Sequence, residues 1–246
     1  MWKHFGTGQT RYHGLQFVLA VFLPLAIVAP IAAILVFVLH LDPSSLLNRG
    51  IVYACLFLAC LATSRWRFSL ARVGLTRRNT RLGFLYAGIV LVTSYLFMFV
   101  AQPPKGVAHV TVAVWQPVIF FLLVALAEEI WFRGLIFGAL YEWKGAWLAI
   151  IVSSLLFGFM HVPTQGWLGL RHVLDYLSYP VIRLRTGNIW GLIVVHWLIN
   201  LANTFIIMPA PDMSTSTVVV SAAIYLLGFP SVAILILFAD KRLSRK

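Results

Sequence analysis

Acidic residues are scarce in this chain: seven Asp and Glu stand against 19 Lys and Arg, and charged residues of all kinds make up 11% of the 246 positions. With 61% hydrophobic residues and a mean hydropathy of +0.91, so little charge is the composition of an integral membrane protein. Cysteine is also rare. Cys55 and Cys60 fall in one apolar run, five residues apart and so on different helical faces, which excludes a disulfide between them and leaves the redox compartment undefined. No repeat of fixed period, no low-complexity tract and no long linker interrupts the chain, so residues 1–246 read as a single membrane domain. The first apolar stretch is too long for a signal peptide and lacks a small-x-small cleavage site, which makes it a retained helix.

What the chain has in abundance is long apolar runs, near 14–40, 50–64, 82–100, 113–138, 146–162, 188–208 and 216–239. They show no strand-like alternation. Helices therefore fit better than a barrel, and the expected fold is an all-α polytopic helix bundle. The segment 166–185 is a weaker candidate because Arg171, His172, Asp175 and Pro180 break its pattern. If it crosses, the N-terminus, the 65–81 loop, Lys144, Arg183, Arg185 and the C-terminal tail share one side, leaving Arg49 and Lys105 in the loops opposite. This strong asymmetry favours eight transmembrane helices with both termini cytoplasmic; a bacterial inner membrane is the expected location. Seven helices plus an interfacial one is the alternative. The same bunching in short loops argues that the net charge of +12 serves topology and the lipid bilayer, and not nucleic acid.

Against this background one stretch stands out: a chain with only three glutamates puts two of them side by side in ALAEEIWFRG, residues 125–134. Ionisable groups inside a bilayer are costly, and function is the first hypothesis for them. The others are His161 at the end of the fifth run and His196 in the seventh, accompanied by Asn200 and Asn203. Glu129 and Arg133, four apart, can pair on one helix face, leaving Glu128 about 100° away to face a cavity. His196 and Asn200 also share a face. Glu128 and His161 sit at matching heights in the two arms of a hairpin that turns near Lys144, so a contact between them is geometrically available.

A carboxylate beside an imidazole can deprotonate water, and an imidazole one turn from an amide can support the oxyanion of an acyl-transfer intermediate. Such a set would hydrolyse an acyl bond, most simply a peptide. Glu128, His161 and His196 are equally a conceivable Zn2+ ligand set, and with no HExxH motif present the residues do not choose between metal-bound and metal-free water. From other classes, a proton-coupled transporter using these groups as a relay, or a non-catalytic immunity or scaffold protein, are the alternatives. His4, His13, His40, His109 and His172 read as interfacial.

EEIWFR at 128–133, FGFMH at 157–161 and HWLIN at 196–200 resemble the EExxxR, FxxxH and HxxxN/D motifs of the CPBP (Abi) family, the CAAX proteases and bacteriocin-processing enzymes. The resemblance covers about 128–203, within a core of about 113–208. It implies an intramembrane endopeptidase, labelled a metalloprotease in much of the family, acting on a membrane-embedded or lipidated substrate. It further implies that Glu128 and His161 activate water and that His196 and Asn200 support the oxyanion. Glu129, Arg133, Phe157 and Asn203 would then surround and position these four.

Overall fold

The computed structural model describes residues 13–101, 103–108, 114–207 and 214–239. The fold is all-α. Its helices are α1 (His13–Ala33, continued by a π-helical turn Ile34–Val38), α2 (Leu46–Arg67), α3 (Thr80–Ala101), α4 (Trp115–Glu128) and α5 (Phe137–Lys144), the last two joined by a π-helix Glu129–Ile136. Then follow α6 (Ala146–Gln165), α7 (His172–Asp175), α8 (Ser178–Thr186), α9 (Trp190–Phe205), α10 (Thr215–Ala223) and α11 (Phe229–Ala239).

Among the described residues, five helical stretches are long and apolar enough to cross a bilayer: His13–Val38, Leu46–Arg67, Thr80–Ala101, Ala146–Thr186 and Thr215–Ala239. The expected eight crossings do not all appear as separate long helices. Residues 166–185 form a 3-10 turn, Gly166–Arg171, followed by α7 and α8, folded back against α6. The basic termini on which the expected orientation partly rests lie outside the described residues.

The core sits around α4 and the π-helix, which α1, α2, α6 and α9 surround. Long apolar side chains cannot drive helix association in lipid as they do in water, so small residues and hydrogen bonds do much of the joining. Trp131 Nε1 donates to the Ala20 carbonyl of α1 at 3.0 Å, and Trp197 Nε1 of α9 donates to the Val118 carbonyl of α4 at 2.9 Å. A short antiparallel pair, β1 (Gly106–Val107) with β2 (Ile206–Ile207), ties the loop after α3 to the end of α9.

The start of α9 is fixed with particular care, because it sets the height of His196. Buried Asn188 accepts from the Trp190 amide at 2.8 Å and donates to the Thr76 carbonyl at 2.5 Å, so one side-chain amide ties the first residue of the helix to the 68–79 loop. Gly191 then lies directly on α3: a Cβ there would stand 2.6 Å from the Gly83 carbonyl oxygen, a backbone atom that cannot turn aside. Gly191→Ala is expected to destabilise the protein by about 1–3 kcal/mol by displacing α9. Thermal unfolding in detergent measures the loss.

Candidate active site

All four ionisable or paired groups at the centre are removed from solvent: Glu128 is 7% exposed, Glu129 0%, Arg133 1% and His196 2%. Burying charge without partners is prohibitive, and here each group has one. Glu129 Oε1 lies 3.4 Å from Arg133 Nη1, the one-turn pairing expected from the spacing. The same oxygen stands 2.8 Å from His196 Nδ1. Turned also to the Arg133 guanidinium, that oxygen can only accept, so Nδ1 is the donor and the imidazole presents Nε2 on its other edge.

That edge faces the second glutamate. His196 Nε2 is 3.7 Å from Glu128 Oε2, while Glu128 Oε1 accepts a hydrogen bond from the Tyr53 hydroxyl of α2 at 3.1 Å. Oε2 itself has no hydrogen-bond partner among the described residues. The adjacent glutamates thus hold one imidazole between them, although they leave their backbone in different directions. The widened π-helical path that begins at Glu129 accompanies this placement, as such segments do at many functional sites. Its Arg133 carbonyl is taken by buried Arg183, whose Nε donates at 3.1 Å while its Nη2 donates to the Arg72 carbonyl at 2.6 Å.

Phe157, fully buried, is the hub beneath these groups. The Arg133 guanidinium lies 4.0 Å from its ring centroid, and the rings of His161, Tyr176 and His196 lie 4.6, 5.0 and 6.1 Å away. A buried cation over an aromatic face gains electrostatic attraction that partly replaces its lost hydration.

His161 Nδ1 donates to the Phe157 carbonyl at 2.8 Å, which leaves Nε2 as its free edge. Among the described residues no hydrogen bond or ion pair joins His161 to Glu128, although the carboxylate lies within electrostatic reach of that imidazole; the imidazole paired with it is His196. His161 instead stacks against His172, with ring centroids 4.5 Å apart. The returning 166–175 segment approaches so closely that a Cβ on Gly169 would stand 2.6 Å from the His161 carbonyl carbon. His172, read from sequence as interfacial, therefore belongs to this neighbourhood, held at 3.4 Å from Asp175. Of the other interfacial histidines, His4 and His109 lie outside the described residues.

Asn200 sits half-buried one turn beyond His196 on α9. Asn203 is exposed and, with Tyr95, His172, Tyr176 and Tyr179, borders a cavity of about 620 Å³. A cavity of that size beside convergent polar groups suits a ligand or a peptide segment.

The proposed zinc set fits poorly. Glu128 and His196 are spaced to share an ion, but among the described residues no three His, Cys, Asp or Glu side chains are grouped to hold one. Nor, among those residues, does His161 make a hydrogen bond or ion pair with either of the other two.

Residues 110–202 match the family described as "Type II CAAX prenyl endopeptidase Rce1-like". Over this segment the chain is similar to that family. The protein of Bacillus subtilis (strain 168) named "Putative membrane peptidase YdiL" is 36% identical over 87 residues, which is 34% of this chain. The chain spans about a third of the length of that relative, 32%. No solved structure matches the chain. The Rce1-like segment carries both glutamates, Arg133, His161, His196 and Asn200, but not Tyr53, which approaches from α2. No local motif announced that tyrosine; its only signal is a hydroxyl in an apolar run, seven residues before Cys60.

Proposed function

We propose that the protein is an intramembrane endopeptidase, resident in the bacterial inner membrane with both termini cytoplasmic, which hydrolyses a peptide bond of a membrane-embedded or lipidated protein. The observation that carries this reading is the imidazole of His196 held between two carboxylates, 2.8 Å from Glu129 and 3.7 Å from Glu128, inside an apolar bundle. A purely structural ion pair is complete with Glu129 and Arg133. It leaves the second carboxylate, with a free oxygen, unaccounted for.

Glu128 Oε2 takes the proton of the attacking water and returns it to the leaving nitrogen, so the group ends as it began. His161 presents Nε2 to the same water. The tetrahedral intermediate places its negative charge beside α9, where the Asn200 amide donates to it next to the His196 ring. Glu129, fixed by Arg133, keeps the His196 ring oriented throughout. The donor spacing favours water activated without a resident metal ion.

The test is cleavage by the purified protein in liposomes carrying transmembrane or lipid-anchored reporter peptides, with new termini identified by mass spectrometry. Cleavage is expected, and it should persist at full rate after exhaustive chelation. Loss on chelation with recovery on stoichiometric Zn2+ would restore the metal reading. Proton flux into dye-loaded liposomes with no cleavage of any reporter would replace the protease by the transporter.

A further inference from the structure

We infer that Tyr53 is a positioning residue for Glu128, so that the N-terminal half of the chain supplies part of the reaction machinery. The inference rests on the reading of Glu128 as the base. It begins from an asymmetry between the two oxygens of one carboxylate. Oε1 is bound by the Tyr53 hydroxyl at 3.1 Å, whereas Oε2 has no hydrogen bond and looks toward His196 Nε2 at 3.7 Å.

A glutamate side chain has three rotatable bonds, and its terminal torsion is broad. Left alone at the end of α4, the carboxylate could swing either oxygen toward the histidine or away from it. A donor on one oxygen removes that freedom and assigns the other to the water. Hydrogen bonds to a charged acceptor in an apolar surrounding are strong enough to hold such a choice.

Tyr53 is itself held in place. Its ring meets Phe120 of α4 edge to face, with centroids 5.9 Å apart, on the same helix that carries Glu128. It rises from α2, whose main packing partner is α4. The hydroxyl is 75 positions away from Glu128 in sequence and lies outside the Rce1-like segment. A tyrosine used only to join two membrane helices would gain as much from a backbone carbonyl, as Tyr95 does with Ile199.

Tyr53→Phe keeps the ring and removes the donor. Cleavage by this variant in liposomes is expected to lose about 10- to 100-fold in kcat with KM within about twofold, the loss of one hydrogen bond to a charged group. Thermal unfolding should be nearly unchanged. Infrared difference spectra provide a readout independent of turnover: the carboxylate stretch of Glu128 should shift in Tyr53→Phe, and the tyrosine change should leave no carboxylate signal when made in a Glu128→Gln background. A kcat within threefold of wild type, or a lower unfolding temperature with kcat unchanged, reduces Tyr53 to helix packing and overturns the inference. If instead Glu128→Gln itself retains cleavage, the assignment of the base fails, and the infrared shift still reports whether the hydrogen bond exists.

Discussion

Glu128→Gln is expected to lower kcat by about 10²- to 10⁴-fold, the range that a positioned acid–base group supplies, without reducing the amount of folded protein. The variant is close to isosteric. Its amide oxygen can still accept from Tyr53 in place of Oε1, and its NH2 group would point at His196 Nε2, 3.7 Å away, as a donor to an acceptor. The fold thus keeps every contact and loses only the capacity to take a proton. Turnover should be followed on a membrane-anchored reporter beside a thermal melt in detergent. Full activity in a protein shown by mass spectrometry to carry glutamine would remove Glu128 from the mechanism.

Arg133→Met should have the largest effect on stability, a loss of about 3–5 kcal/mol, because it strands a carboxylate with no access to solvent. Glu129 would be left with His196 alone, and Phe157 would lose the cation that covers its face. The control is Glu129→Gln combined with Arg133→Met. Removing both charges at once spares the uncompensated burial, so the double variant should melt well above the single one while remaining impaired in turnover, since His196 has lost its anionic anchor. Equal melting temperatures for single and double variants would show that the pair contributes shape and not charge.

Helix content and the Glu129–Arg133 pair were legible in the sequence because both follow from short-range rules: apolar run length, and side chains one turn apart. The grouping of His196 with Asn200 on one face was legible for the same reason. The partner of Glu128 was not. Matching heights in the α4–α6 hairpin pointed to His161, but which imidazole meets that carboxylate depends on how α9 leans between α3 and α4, and Gly191, Asn188 and Trp197 set that through tertiary contacts. An ideal helical angle separates Glu128 from Glu129, whereas the helix changes its winding at Glu129. The 166–185 segment drew attention for its breaks, and those same polar residues prove to border the cavity and to bring His172 against His161.

The Tyr53 hydrogen bond has a practical consequence. The borders of sequence similarity, 110 to 202, are not the borders of the working unit. A fragment cut to the matched stretch would keep every motif letter yet lose the phenol that steers the carboxylate, along with the helix whose Ala20 carbonyl receives the Trp131 indole. Transplanting the chemistry into another scaffold means bringing the first two helices with it.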